Sequence, residues 1–274
     1  MNIRFAGLGC LLALLAAGGA AIAAEPAVGT AGAGAIELAK QVENPLARVV
    51  SLQLNGNVNF EKGAYERTQS TANLSATYPF DLPRRWNLFT NASLPVIDQP
   101  VGATDRTLGF GDMSLLAFLS PPSSQHWVFG AGPSIILPTA TDSALGQGKW
   151  DAGPAVAVVH NERTWVAGLV ASQNWSITGA NDRAGVSRLL LSPFGTWHLN
   201  KGWFLFSAPA ISADWKSKGN RAWTVPLGGG VGYVVRRGRH AVNFALQAYE
   251  NVVRAEGAPR WQIRLTTGWV FPKN

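Results

Sequence analysis

The closing stretch of the chain, residues 261–271, alternates between apolar and polar side chains with a period of two. Trp261 and Phe271 end its apolar face, whereas Gln262 and Arg264 lie on its polar face. A period of two predicts a β-strand. A strand of this length rises roughly 36 Å, or about 28 Å when tilted, which is enough to cross an outer-membrane apolar band of about 25 Å. The aromatic ends suit two bilayer interfaces. The segment therefore predicts the closing strand of a transmembrane barrel.

The same alternation recurs along the chain and predicts an all-β fold, a transmembrane antiparallel β-barrel of about 12 strands. Short connections alternate with longer ones, which fits an even-stranded barrel with both termini on the periplasmic side. The predicted strands lie near residues 48–60, 68–80, 86–97, 108–119, 126–138, 150–160, 164–177, 188–198, 203–215, 222–235, 240–250 and 261–271.

All 11 tryptophans fall near the ends of these predicted strands. Those beside the short turns are Trp86, Trp127, Trp165, Trp197, Trp203 and Trp269. Those beside the long loops are Trp150, Trp175, Trp215, Trp223 and Trp261. Membrane barrels carry aromatic girdles at both interfaces, so this placement predicts two girdles.

Five prolines oppose the strand assignment because they lie inside predicted strands, and proline cannot donate to a β-ladder. A closed barrel has no edge strand to hold them, so we expect them at bulges or strand ends. They are Pro133, Pro154, Pro193, Pro209 and Pro226.

The composition agrees with a barrel. Charged residues make up 14% of the chain, well below the roughly 25% of average soluble domains. The formal net charge is +7, but the charges are scattered through turns and form no basic stripe. Solvated turns explain them better than nucleic acid, which is not expected as a partner.

The amino-terminal segment predicts export. Residues 1–24 have the basic start, apolar stretch and small-residue cleavage pattern of a signal peptide; an uncleaved anchor helix is the alternative. Cys10 lies inside the apolar stretch rather than after it, so lipidation is not expected. Residues 25–47 are predicted as a linker followed by a short periplasmic amphipathic helix over 35–46, and residues 48–274 as the barrel. The helix either plugs the barrel mouth or merely covers apolar surface, and we favour the second.

The sequence offers no convergent catalytic chemistry. His126, His160, His198 and His240 all fall at short turns, where neighbouring hairpins place side chains roughly 10 Å apart, too far to share a metal. We expect them to be polar turn or headgroup-level residues. The glycine-rich pieces lack the strand–loop–helix setting of a phosphate cradle. We therefore predict no catalytic, metal or cofactor residues, and a protein that is not an enzyme.

Polar side chains at inward-facing positions are the candidate functional residues. An asparagine-rich lining could satisfy interior hydrogen bonds or form a wet path for small solutes, and both interpretations stay open. The long loop 139–149 is a weaker candidate for a gate. The positions singled out are Asn55, Asn57, Asn73, Asn91 and Arg264 in the lumen and Asp142 and Lys149 in the loop.

Several segments resemble the bacterial outer-membrane family called phenol meta-pathway degradation proteins, whose members are often described as transporters. They are residues 37–45, 94–100, 109–113, 130–133, 137–142, 145–154 and 269–273, in matching order. Some relatives carry the name neuromedin U, which nothing in this sequence supports. The resemblance implies an outer-membrane barrel involved in the uptake of aromatic or other hydrophobic compounds, and it brings no established functional residues.

The favoured hypothesis is thus a channel or transporter for small solutes in the bacterial outer membrane. The alternative is a non-transporting structural or surface-interaction barrel with a plugged lumen. The expected partners are outer-membrane lipid, lipopolysaccharide, a small-molecule solute, and the barrel-assembly machinery through the carboxy-terminal strand.

Overall fold

The structure is a computed structural model that describes residues 44–122, 126–217, 222–237 and 240–272. The predicted signal peptide and residues 35–43 of the predicted helix lie outside these residues. Asn44 to Leu46, the described end of that predicted helix, form a turn in which the Ala47 N–H donates to the Asn44 carbonyl at 3.0 Å. No helix among the described residues is long and apolar enough to span a membrane.

The described chain is almost entirely β-strand, joined into one antiparallel sheet. The strands are β1 (Val49–Lys62), β2 (Arg67–Asp81), β3 (Asn87–Val101), β4 (Asp105–Phe110), β5 (Met113–Ser120), β6 (Trp127–Leu137), β7 (Lys149–Asn161), β8 (Trp165–Gly179), β9 (Ser187–His198), β10 (Trp203–Ser207), β11 (Ile211–Asp214), β12 (Trp223–Arg237), β13 (His240–Val253) and β14 (Trp261–Pro272).

The sheet closes on itself because the first strand pairs with the last. β1 and β14 are antiparallel from Val49 opposite Pro272 to Phe60 opposite Trp261. Closure leaves no edge strand exposed, which is what a bilayer requires of a sheet. The predicted closed antiparallel barrel is confirmed.

The 14 strands occupy 12 strand positions around the barrel, because two positions each hold two short strands separated by a break. We call each of these 12 positions a stave. β4 and β5 both pair with β3 and are separated by Gly111 and Asp112. β10 and β11 both pair with β9 and β12 and are separated by residues 208–210. Each stave corresponds to one of the strands predicted from the sequence.

Prolines occupy the irregular places of the ladders, as expected. Pro209 lies in the break between β10 and β11, and Pro226 lies at a register shift between β12 and β13. Pro133 and Pro154 face each other across β6 and β7. Pro193 pairs with Leu169 on one side and faces the β10–β11 break on the other. Residues without an N–H are thereby placed where the ladder is already interrupted.

Successive side chains along each strand point alternately to the outer face and to the inner face of the barrel. On β14, Trp261, Ile263 and Phe271 are exposed on the outer face, whereas Thr266 and Val270 are buried on the inner face. Many large apolar side chains are exposed on the outer face of the other strands, including Leu74, Leu227 and Leu246. A band of this kind is the surface that hydrocarbon covers in a membrane barrel. Exposed tryptophans border it at both ends: Trp127, Trp197 and Trp203 near the short turns, and Trp150, Trp175 and Trp215 near the long loops.

Candidate solute path in the barrel lumen

Uncharged polar side chains line the inner face of the first three strands. The register places Gln53 of β1 beside Ser75 of β2, and Ser75 beside Ser93 of β3. Asn55 and Asn73 form the neighbouring row. These side chains are half-buried rather than sealed, so they face open space inside the barrel. We call the set the polar lane, which comprises Gln53, Asn55, Asn73, Ser75, Asn91 and Ser93.

Hydrogen bonds fix the orientation of the polar lane. Asn55 donates to Gln53 Oε1 at 3.2 Å, Ser75 and Ser93 join their hydroxyl groups at 2.9 Å, and Asn91 donates to Thr77 Oγ1 at 2.9 Å. Each pair leaves some donors and acceptors of these side chains unused. The lane can therefore hydrogen-bond to water or to a polar group of a solute.

Arg264 of β14 reaches across the interior. Its Nε donates to Asn57 Oδ1 at 2.8 Å and its Nη1 donates to the carbonyl of Ala208 at 2.9 Å. Ala208 lies in the β10–β11 break, and β12 and β13 stand between that stave and β14. The Ala208 N–H donates to the hydroxyl of Tyr249 at 2.9 Å, and the Arg264 guanidinium lies 5.1 Å from the centre of the Tyr249 ring. These four residues form the lumen brace: Asn57, Ala208, Tyr249 and Arg264.

The brace therefore links β14 to the break between β10 and β11 on the lumen side of β12 and β13. It also carries the positive charge of the Arg264 guanidinium, which forms no ion pair with an acidic side chain among the described residues. The neighbouring inner face of β13 and β14 is filled by polar side chains, with Asn243, Gln247 and Thr266 each 1% exposed. The Tyr249 hydroxyl donates to Gln247, Gln247 donates to Thr266 Oγ1 at 3.4 Å, and Thr266 donates to Asn55 Oδ1 at 2.7 Å. This chain of hydrogen bonds joins the brace to the polar lane.

Apolar side chains fill another sector of the interior. Leu46, which precedes β1, is 2% exposed and packs with Phe89, Phe118, Val159 and Val166 from four different strands. An added Cβ at Gly130 would lie 3.2 Å from Leu46, so the glycine makes room for this side chain. The described end of the lead-in segment therefore lies inside the barrel.

The long loop after β6 folds against the lumen side of the β4–β5 break. The Asp112 carboxylate accepts the N–H of Ala140 at 3.1 Å and the N–H of Gln147 at 2.6 Å. Thr141 bridges to the backbone of Phe110. An added Cβ at Gly109 would lie 2.1 Å from Thr141 Oγ1, so the loop rests directly on that strand. The loop is a packed part of the outer mouth.

Asp142 and Lys149, the two candidate loop residues, lie at different places in the structure. Asp142 is exposed and its carboxylate accepts the Ala144 N–H at 2.8 Å, which shapes the turn. Lys149 begins β7 and pairs with Gly179 of β8. The structure thus brings Asn55, Asn57, Asn73 and Arg264 together along one side of the lumen, with Asn91 at the next strand, and leaves the two loop residues apart from them.

Two buried side chains that we did not single out from the sequence lie beneath this loop. Asp151 is 1% exposed and neither of its carboxylate oxygens has a hydrogen-bond partner among the described residues. Asn174 is 5% exposed and its side-chain oxygen is also unpartnered there. The inward position of Asp151 could have been predicted from the sequence, because Asp151 alternates with Gly153, Ala155 and Ala157 on one face of β7. Tyr249 and Ala208 carried no such signal, since their contact arises from a break in a stave.

The histidines differ in part from the prediction. His126 and His160 lie at the short-turn rim with ring centres 6.3 Å apart, closer than the spacing expected from the strand separation. His160 packs against Trp127 and its Nε2 lies 3.0 Å from Glu162. His198 is not at headgroup level but buried on the inner face, against Phe204. Among the described residues, no group of three or more His, Cys, Asp or Glu side chains could hold a metal ion.

Comparison of the sequence with models of known protein families and with characterised proteins finds no match. Among solved structures, the COG4313 outer membrane channel from Pseudomonas putida F1 is similar, with a TM-score of 0.59 and 16% identity over 81% of this chain and 94% of that chain. The NanC porin gives a TM-score of 0.52 and 11% identity over 80% of this chain and 98% of that chain. At these identities the likeness shows the fold, which is that of an outer-membrane β-barrel.

Proposed function

We propose that this protein is a channel of the bacterial outer membrane that passes small solutes. The observation that carries the proposal is the polar lane, a continuous run of half-buried amide and hydroxyl side chains inside a closed barrel. A barrel of 12 staves is wider than the eight-stranded barrels that side chains fill, and narrower than the porins with 16 or more strands. A restricted path is therefore the geometry expected of it.

The solute class follows from the two kinds of interior surface. Half-buried apolar side chains, among them Leu116, Val170 and Phe194, border the filled apolar sector. Leu190 is 37% exposed on the inner face of β9. A small hydrophobic or aromatic solute bearing a polar group would match both surfaces. The sequence resemblance to the phenol meta-pathway proteins supports the same class, and the similar structure from P. putida is named an outer membrane channel.

The proposed location in the outer membrane implies lipid and protein partners. The outer-membrane lipid, with lipopolysaccharide in its outer leaflet, would cover the apolar band. We propose that β14, the carboxy-terminal strand, is the segment that the barrel-assembly machinery engages.

A pair of adjacent substitutions tests the channel. Asn73→Phe places a bulky ring in the polar lane, whereas Leu74→Phe places the same ring on the outer face, where Leu74 is 47% exposed. In proteoliposomes and planar bilayers we expect Asn73→Phe to lower solute flux and conductance several-fold, and Leu74→Phe to leave both unchanged.

A plugged structural barrel is the second candidate, and the packing of Leu46 inside the barrel favours it. Wild-type protein with no conductance, together with unchanged solute uptake in cells lacking it, would support that candidate and contradict the channel. Equal flux through both phenylalanine variants would remove the polar lane as the path.

A further inference from the structure

Two of the short turns have the same backbone conformation and the same closing hydrogen bond. Residues 82–86 and 199–203 each contain a single 3-10 turn, Pro83–Arg85 and Asn200–Gly202. The first residue donates its N–H to the carbonyl of the closing tryptophan, at 2.9 Å from Leu82 to Trp86 and at 2.8 Å from Leu199 to Trp203. Both turns therefore place a leucine and a tryptophan at fixed positions around a basic residue.

The basic residue occupies the same position in both turns. Arg84 has a φ of 60° and Lys201 a φ of 59°. Glycine or asparagine adopts this left-handed conformation more readily, and other residues pay roughly 1 kcal/mol there. Local folding thus gives no reason for a long basic side chain at this position.

A third short turn repeats the association of a basic residue with a tryptophan. Arg163 precedes Trp165 by two residues, and the turn is closed by the Glu162 N–H donating to the Trp165 carbonyl at 2.8 Å. The Glu162 carboxylate faces His160 at 3.0 Å. Arg163 is exposed and forms no ion pair with the described residues.

Ion pairs of basic with acidic side chains are few at both ends of the barrel. At the long-loop end, Arg106 pairs with Asp98 at 2.8 Å and Arg260 pairs with Glu61 at 3.4 Å. At the short-turn end, Arg48 has such a partner, Asp81 at 2.8 Å. Four exposed basic side chains there have no acidic partner among the described residues: Arg84, Arg85, Arg163 and Lys201.

The neighbouring tryptophans set the depth of these charges. Trp86 and Trp203 are exposed on the outer face, and tryptophan in membrane proteins lies at the level of the headgroups. In an outer membrane barrel the short turns are periplasmic. The unpaired basic side chains therefore lie where the phosphates of the inner leaflet begin.

We propose that the short turns 82–86, 162–165 and 199–203 bind the phosphate groups of anionic phospholipids in the inner leaflet of the outer membrane. The tryptophan and leucine side chains contact the acyl region, and the guanidinium and ammonium groups donate to phosphate. Because the turns lie between β2 and β3, β7 and β8, and β9 and β10, they face different sectors of the rim and hold separate lipids.

Native mass spectrometry of the purified full chain tests the proposal with phosphatidylglycerol and phosphatidylethanolamine as probes. The triple variant Arg84→Gln, Arg163→Gln and Lys201→Gln removes one charge from each turn. Each turn loses one basic side chain, which contributes about 1 kcal/mol near an anionic surface, so we expect the preference for phosphatidylglycerol at each turn to fall about fivefold.

A charge-matched triple at the opposite end, Lys216→Gln, Arg254→Gln and Arg260→Gln, serves as the control and is expected to keep the preference. Heat-modifiable gel migration verifies that both triples are folded. The proposal is overturned if the wild type shows no preference for phosphatidylglycerol or if the short-turn triple retains it. Displacement of the lipid by inorganic phosphate alone would also overturn it, because a free anion does not need the apolar contacts.

Discussion

At the scale of single residues, hydrogen bonds connect the side chains in the polar sector of the barrel interior. Asn57, Tyr249, Arg264 and Thr266 all take part in hydrogen bonds that lead from one to another. Such networks stabilise a fold when every member is satisfied, and an unsatisfied member costs free energy. Asp151 is an exception, because its buried carboxylate loses hydration without accepting a hydrogen bond from the described residues.

Asp151→Asn is expected to stabilise the barrel. The substitution keeps the shape of the side chain and removes the buried charge, so the unfolding free energy should rise by about 1–3 kcal/mol. Thermal unfolding in detergent, followed by heat-modifiable migration, measures the change. Asp214→Asn is the control, because Asp214 accepts the Lys216 N–H at 3.0 Å and loses a charge-assisted bond. A lower unfolding temperature for Asp151→Asn than for the wild type would contradict the argument.

At the scale of elements, close approach of strands depends on glycine at specific positions. In β12, an added Cβ at Gly230 would lie 1.8 Å from the Leu246 carbonyl oxygen of β13. An added Cβ at Gly195 of β9 would have no other atom within 4 Å. The sequence does not distinguish these two glycines, but only Gly230 is required by the close approach of a neighbouring strand.

Gly230→Ala is therefore expected to disrupt the pairing of β12 with β13. Backbone atoms cannot move aside as a flexible side chain can, so we expect a loss of about 3 kcal/mol or a failure to fold. Gly195→Ala should migrate and unfold like the wild type. Similar heat-modifiable migration and equal unfolding temperatures for the two variants would show that β12 shifts without cost.

At the scale of the whole molecule, the lumen brace links β14 to the break between β10 and β11 and places one positive charge inside the barrel. The charge of Arg264 is neutralised by no carboxylate among the described residues, and low-dielectric walls strengthen the field of such a charge. The brace therefore affects both the width and the ion preference of the channel.

Two substitutions of Arg264 separate these effects. Arg264→Lys keeps the charge but loses the guanidinium group that donates to both Asn57 and Ala208. We therefore expect altered conductance with unchanged ion preference. Arg264→Gln removes the charge, and the reversal potential in a salt gradient should shift towards cations. Arg254→Gln, in a long loop, is the control with the same loss of charge. An unshifted reversal potential in Arg264→Gln would place the conducting path away from the brace.

The sequence predicted the parts of this fold that depend on periodicity. Alternation located all staves, and the inward positions of Asn55, Asn57, Asn73 and Arg264 followed from it because a period of two fixes which face each residue occupies. The breaks at residues 111–112 and 208–210 were not predicted, since they do not disturb the alternation over a whole stave. The contacts of Asp112, Tyr249 and Ala208 depend on those breaks, so they were missed as well.

The pairing of β1 with β14 also determines when the molecule can form. Asn55 and Thr266 are bonded although 211 residues separate them in the chain, and contacts so distant in sequence slow folding. β1 pairs with β2 along one edge, but its other edge has no partner until β14 has been synthesised. The barrel therefore cannot close before the last strand is available, and the pairing of β1 with β14 is the contact that closes it.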